Sequence, residues 1–420
     1  MFRISLWLIA LFLFSCSRSS EKQNILHFWA MGAEGEAVQQ LIPGFERENP
    51  SVKVRVQMVP WTSAQEKLIT AFASENLPDV FQLGNTWIPQ FEALYALQPL
   101  DDYINTSKNV AKSNYFSGIW ETNQINEKQY GLPWYIDTRL LFYRSDILHN
   151  AGYEHPPQSW AQLYEVCRKI KKRTGNYAIY LPTNEWATFV IFGLQNGATL
   201  LKDHYTRGNF SQQEFKKAFD FLIRFHQEGL APQGISQVTN VYQAFAEGYF
   251  AMYISGPWNL TEFQRRMKGK LADKWMTAPL PAPDSAGVGL SLAGGSSLVI
   301  ARSSAKKDLA WSFIEYLSRP DVQIEFYRIV SDLPAVRQAW ENPVIKNDPY
   351  LKAFFVQFAH TSALPKIPEW EQIAFSKLQR YAELAARGII STEEALKQLD
   401  DDVDRILEKR RFLLNSRKKP

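Results

Sequence analysis

Apolar residues along the chain repeat with two periods, and the order in which those periods alternate sets the first expectation of fold. Residues 25–29 form a short apolar run, and Val38, Leu41, Ile42 and Phe45 follow at helical spacing. Val52, Val54, Val56 and Met58 then alternate strictly with Lys53, Arg55 and Gln57, the pattern of a half-buried strand. Ser63 with Glu66 three residues on predicts a capping box opening a second helix, which carries Leu68, Ile69 and Phe72 before Pro78 introduces a strand at 80–83. Strand, helix, strand, helix, strand predicts a largely parallel sheet with right-handed crossovers. Such a sheet holds ligands beyond its C-terminal strand ends, which singles out residues 29–36 and 84–87.

The later chain keeps this style. Residues 132–143 and 178–181 read as extended, and Phe215, Phe219, Leu222 and Ile223 mark a helix. Pro279, Pro281 and Pro283, followed by 284–289, break regular structure and read as a crossing or linker. A strand at 297–300, a helix at 308–317 and a C-terminal helix with Leu396, Leu399, Val403, Ile406 and Leu407 behind the capping box Ser391–Glu394 complete the pattern.

Composition narrows the class. The chain has 420 residues, 45% hydrophobic and 21% charged, which excludes disorder and a polytopic membrane protein and makes two lobes the default. A net charge of +4, with basic residues clustered at the C-terminus at 409–411 and 417–419, argues against a nucleic-acid partner, and that tail reads as a solvated helix end. The 13 Trp and 18 Tyr supply flat apolar faces with a polar atom, suited to a ligand site as well as to a core.

Met1-Phe2-Arg3 and the apolar run 4–14 have the form of a signal peptide, expected over 1–15. Leu13-Phe14-Ser15-Cys16 resembles a bacterial lipobox, which implies lipidation of Cys16, a tether over 16–24 and a lipid-anchored protein in the periplasm or on the outer face of the cell membrane. The other reading is an ordinary secretory signal or an uncleaved anchor. Cys167 would then be the sole thiol, so no intramolecular disulfide or Cys-based metal site is expected. It falls on the apolar stripe of a helix that starts at the capping box Ser159–Gln162, a core position rather than a nucleophile.

Catalytic signatures are missing. The chain has no phosphate loop, H-E-x-x-H, G-x-S-x-G or G-x-G-x-x-G, and its six His are scattered. Any pairing of carboxylates for glycoside hydrolysis is unremarkable among 43 acidic residues. No enzyme, metal or cofactor is expected.

A set of separate motifs does carry a signature. Phe28-Trp29, 45–50, Val59-Pro60-Trp61, Lys67-Leu68, 77–80, Trp87, Phe91 and 97–102 resemble the family 1 extracellular solute-binding proteins of bacterial ABC importers, the group that includes maltose-binding protein. Residues 130–139 with 141–143 look like that family's first interlobe crossing, and Ala151-Gly152 with 157–163 like the start of its second lobe. The run 245–260, F-A-E-G-Y-F-A-M-Y-I-S-G-P-W-N-L, is the most specific match, and 294–298 with the helix around 310–317 completes it. The resemblance implies an α/β, two-lobed periplasmic-binding-protein fold of type II, its lobes joined by three crossings around a ligand cleft. The lobes are expected at 25–135 plus 286–330 and at 138–282 plus 334–420. It also implies ABC permease subunits as partners and a monomer.

Sugars present apolar C–H faces and a rim of hydroxyls, so a sugar site needs aromatic platforms with carboxylate, amide and backbone partners. The resemblance makes Trp258, after the Gly256-Pro257 turn, a stacking platform. It places Asp137 at a ligand-contacting carboxylate, the alternative being an interlobe salt bridge with Arg139. Asn184 and Trp186 correspond to a polar and an aromatic contact. Asn85, Thr86 and Trp87 follow a strand end, although the maltose-binding pattern has a contacting Asp near Thr86, a departure that bears on which sugar is bound. Trp29 and Glu34 follow the first strand, and Glu34 equally suits a helix N-terminus. Trp134 and Tyr135 lie at the hinge, where packing and contact are balanced; Gly295 and Ser296 would offer backbone N–H groups or form a plain turn. Trp370 would cap the cleft or pack. Trp61, Trp120, Trp160, Trp275, Trp311 and Trp340 are assigned to packing.

The expected function is capture of a carbohydrate, an oligosaccharide, for delivery to a membrane permease. The alternatives are a binder of glycerol 3-phosphate or another polyol phosphate, a secreted carbohydrate-active enzyme, and a lipoprotein that feeds a receptor.

Overall fold

The computed structural model of the chain describes residues 24–284 and 287–417. The expected signal peptide and Cys16 lie outside the described residues. Along the chain, strands β1 (Asn24–Met31), β2 (Val52–Val59), β3 (Val80–Gly84) and β4 (Leu132–Asp137) enter a first sheet. Strands β5 (Leu140–Arg144), β6 (Ile179–Tyr180), β7 (Met252–Ser255) and β8 (Trp275–Ala278) build a second, and β9 (Gly294–Ile300) and β10 (Leu333–Pro334) return to the first. The first sheet has the order β10-β4-β9-β3-β1-β2, the second β8-β5-β7-β6.

Strands β1, β2, β3 and β9 of the first sheet each feed two cores. Leu26, Phe28, Val80, Leu298 and Ile300 face one cluster, in which Phe28 meets Phe313 edge-on at 5.4 Å. Their neighbours Phe81, Leu83 and Val299 face a smaller cluster with Leu68 and Phe91. Two-sided burial is what the apolar runs in these strands require. The sheet is less parallel than its sequence pattern predicts: β1 pairs parallel with β2 and β3, while β9 runs antiparallel to both β3 and β4. The reason is that β9 arrives through a crossing from the other lobe and not through a local helix.

The second sheet packs against helices α1 (Trp160–Thr174), α2 (Trp186–Gln195), α3 (Gln213–Gln227), α4 (Gln379–Ala386) and α5 (Thr392–Ile406). Ser159 caps α1 by accepting from the Gln162 N–H at 3.2 Å, and Ser391 caps α5 by accepting from Glu394 at 3.1 Å, as the two capping boxes predict. The box expected at Ser63 does not form. That helix begins two residues earlier, spanning Trp61–Ala73 behind Pro60, and the Ser63 hydroxyl donates to the Pro60 carbonyl instead. Cys167 is fully buried, and burial pushes its thiol well above the ordinary range.

Residues 132–143 are not one extended element. The chain leaves β4 at Asp137, turns at Thr138 and Arg139, and enters β5 in the other sheet. Thr138 Oγ1 donates to the Leu292 carbonyl at 2.8 Å, and Ser291 Oγ to that of Arg139 at 2.8 Å, so the first and second crossings are fastened to each other. Each sheet is the centre of one lobe of the α/β, two-lobed architecture.

Candidate functional site

A cleft of about 590 Å³ opens between the two sheets. One wall comes from Trp61 and Gln65, on the first turns of the helix after β2, and from Gly84, Asn85, Thr86 and Trp87 beyond β3. The other comes from Asn184, Glu185 and Trp186 beyond β6, joined by Leu364, Glu371 and Phe375 from the C-terminal region. The floor is the hinge: Tyr135, Asp137, Arg139, Gly294 and Gly295.

The first wall is built on short polar fixings. Trp87 and Trp61 meet edge to face at 5.6 Å. Asn85 is buried with its Oδ1 accepting from Ser297 Oγ at 2.8 Å, which leaves its Nδ2 without a protein partner. Glu34, 7% exposed, lies behind this wall and does not line the cleft. Its carboxylate accepts from Tyr135 OH at 2.7 Å and from Trp61 Nε1 at 3.3 Å, so it orients two lining rings from the first turn of the short helix Gly32–Ala37. Burial, then Glu34, Asp332 and Asp137, hold the Tyr135 hydroxyl protonated well past its ordinary range. Asp332, just before β10, has a carboxyl raised well above the usual value by burial and by Glu34 and Asp137.

The second wall is aromatic and acidic. Trp186, 7% exposed, touches Phe375 and Trp370 edge-on at 5.8 and 5.9 Å. Trp370 is itself 1% exposed and braces Trp186 from behind. Phe375 stands on the π-helical turn Gln372–Leu378 that runs into α4, and wider turns of this type recur at functional sites. Glu185 caps α2, accepting from the Ala187 N–H at 3.3 Å. Burial raises the Glu371 carboxyl, with the Thr86 hydroxyl from the opposite wall drawing it back, and its Oε1 has no hydrogen-bond partner.

At the floor, Arg139 is bonded to Asp137 at 2.9 Å and to Glu185 at 3.4 Å. Burial raises the Asp137 carboxyl and Arg139 partly reverses this. Gly295 has φ of +121°, and a Cβ there would lie 2.3 Å from the Tyr135 carbonyl, so the approach of β9 to β4 requires glycine.

The sequence-predicted residues Asn85, Thr86, Trp87, Tyr135, Asp137, Asn184, Trp186 and Gly295 thus come together at one cleft. Trp258 is 46% exposed with its ring 4.7 Å from the Arg139 guanidinium, outside the cavity's lining but joined to its floor. Others lie elsewhere. Trp134 is 1% exposed and stacks on Phe326 at 4.6 Å, a core role. Ser296 is buried in β9, its hydroxyl donating to the Leu83 carbonyl. Trp29 is half-buried beneath Lys67. Of the Trp residues assigned to packing, Trp61 lines the cleft; it follows the end of β2, so the strand-end rule that selected Trp87 applies to it equally. Glu185 is flanked by two selected residues and Glu371 follows the selected Trp370, whereas Phe375 carries no local signal. Among the described residues no group of three or more His, Cys, Asp or Glu is placed to hold a metal.

A two-lobed chain with an aromatic, hydroxyl-matching cleft over a crossed hinge has the construction of a solute-binding protein. The family of bacterial extracellular solute-binding proteins matches residues 30–324, and the chain belongs to it. Among solved structures it is similar to the sugar-binding protein MalE of Xanthomonas citri, with TM-score 0.90 and 46% identity over 93% of this chain and 99% of that one. The GacH receptor of Streptomyces glaucescens, solved unliganded and with acarbose, superposes with TM-score 0.77 at 25% identity, covering 92% of this chain and 99% of that one. The diacetylchitobiose-binding protein DasA of Streptomyces coelicolor is 27% identical, over 84% of this chain and 83% of its own length.

Proposed function

We infer that the chain is the substrate-binding subunit of an ABC-type importer, capturing an oligosaccharide in the interlobe cleft and delivering it to membrane permease subunits. The single observation that carries the sugar assignment is the make-up of the cleft. Aromatic rings stand on both walls, and between them the polar side chains of Asn85, Thr86, Asn184, Glu185 and Glu371 line the cleft as partners for hydroxyl groups. Relatives that bind diacetylchitobiose, acarbose and sugars support the same class.

The lobes are taken as 25–135 plus 286–330 and 138–282 plus 334–420. Asn85, Thr86, Trp87, Asn184, Trp186, Asp137, Tyr135 and Gly295 are the proposed direct contacts, with Trp258 joining when the lobes close. A ligand that touches both walls stabilises the closed form, because half of its contacts exist only there. Cys16 is the proposed lipid attachment site, holding a monomer in the periplasm or on the outer face of the membrane. The chain itself is proposed to turn nothing over.

A polyol phosphate fits the cleft poorly. Of its lining residues only Arg139 is cationic, and that side chain is already committed to Asp137 and Glu185, whereas a phosphate needs a free guanidinium or a bundle of N–H donors. The test is a thermal melt of residues 17–420 against oligosaccharides, monosaccharides and glycerol 3-phosphate. A bound ligand at 100 times its dissociation constant adds about 2.7 kcal/mol. Stabilisation by a neutral oligosaccharide, recovered unchanged after long incubation, is the expected result; a response to glycerol 3-phosphate alone, or sugar turnover, overturns the assignment.

A further inference from the structure

Arg139 occupies an unusual position. It lies in the two-residue crossing between β4 and β5, where its backbone carbonyl accepts from Ser291 of the second crossing. Its side chain touches three residues from three separate segments: Asp137 at the end of β4 at 2.9 Å, Glu185 at the start of α2 at 3.4 Å, and the Trp258 ring, whose centroid is 4.7 Å from the guanidinium carbon. The partners are shaped to receive it. A Cβ at Gly294 would sit 2.1 Å from Asp137 Oδ1, and one at Gly256 would sit 2.0 Å from the Trp258 ring. Both glycines therefore leave room for the groups that meet the guanidinium.

We propose that Arg139 is a positioning residue that determines specificity: as the internal counter-ion of Asp137 and Glu185 and the support of the Trp258 ring, it suits the cleft to uncharged oligosaccharides. Two physical consequences follow. The guanidinium offsets the charge of one carboxylate and donates to both, so they accept hydrogen bonds from hydroxyls with a weaker pull on an ammonium group. The half-exposed indole is held against a cation rather than left free to rotate, which lowers the ordering cost when a sugar stacks on it. A lysine keeps the charge but lacks the planar fork that serves two carboxylates and stacks on an indole at the same time.

The proposal rests on the sugar reading, and the experiment separates the two. Titrations with maltotriose, which is neutral, and acarbose, which carries a secondary amine, are made on wild type, Arg139→Gln and Arg139→Lys after melts confirm that each is folded. In parallel, acrylamide quenching of Trp258 is taken without sugar, as the difference between each protein and its Trp258→Phe version. Arg139→Gln is expected to weaken maltotriose at least tenfold and acarbose much less, shifting the ratio of their affinities about tenfold toward the amine, with Arg139→Lys between. Quenching of Trp258 is expected to rise in the Gln variant. An unchanged affinity ratio overturns the proposal whatever the quenching does. If wild type binds neither sugar, the sugar reading fails for these probes and quenching decides: an unchanged Trp258 overturns the role of Arg139 as well.

Discussion

The two walls of the cleft are assembled in different ways. The first is local: Trp61 and Trp87 each stand just past the end of a strand, β2 and β3, in one sheet. The second is composite: Trp186 opens α2 after β6, Phe375 comes from a π-helical turn nearly two hundred residues later, and Trp370 packs behind Trp186. A wall made from adjoining strand ends can lose a ring with little effect on its lobe. A wall made by docking a distant helix cannot, because the same rings hold that helix in place.

The largest expected effect separates these cases. Trp186→Ala removes a nearly buried ring that contacts two others, and should lower unfolding free energy in urea by about 3 to 5 kcal/mol. Trp87→Ala removes one edge-to-face pair and should cost about 1 kcal/mol in the same assay. Its effect on sugar affinity should be larger, about 2 kcal/mol or roughly thirtyfold, as for an interface anchor. Equal stability losses for the two variants would remove the distinction.

Next in size is the response to pH, which has opposite signs at the hinge and in the second lobe. Burial raises the Asp332 carboxyl, so its contribution to stability is full below the unfolded carboxylate pKa and is lost as pH rises through the folded value. Asp332→Asn should therefore be more stable than wild type at pH 8, with the gap closing as the pH is lowered. His226 in α3 is fully buried; burial lowers its pKa, and the Pro232 carbonyl 2.7 Å from Nδ1 opposes this only in part. Its contribution is present above an unfolded value of about 6.5 and is lost as pH falls through the folded one. His226→Gln should lose less stability than wild type between pH 7 and pH 5. Melts across this range, giving the same sign for both variants, would contradict the assignment.

The smallest expected effects concern the helix starts. Ser159→Ala and Ser391→Ala should each cost about 1 kcal/mol in chemical denaturation, since each hydroxyl accepts from a backbone N–H at a helix entry. Ser63→Ala should cost close to nothing, its hydroxyl being a donor to the Pro60 carbonyl and not a cap.

These contrasts also explain what the sequence made legible. The alternation of Val52, Val54 and Val56 and the caps at Ser159 and Ser391 are local signals that the structure realises, while Met58, the last of the alternating set, is exposed and Val59 is buried in its place. The break at Thr138 has a faint local signal, Asp137-Thr138-Arg139 inside an otherwise apolar stretch, and the fastening of Thr138 to Leu292 in a second crossing holds the turn. Of the cleft residues, those just beyond strand ends followed from topology and resemblance. Glu371 and Phe375 did not, since their place in the cleft depends on docking of a helix encoded far downstream. Trp61 packs, as its assignment expects, and lines the cleft as well: it pairs with Trp87 and donates to Glu34.

The most direct test of the account is a calorimetric titration with the neutral oligosaccharide that most stabilises the protein in the melt, run on wild type, Trp87→Ala and Trp258→Ala. Wild type is expected to show a single site, and each variant a loss of affinity of about tenfold or more, because one ligand is held by both lobes at once. Wild-type affinity retained in either variant would contradict it.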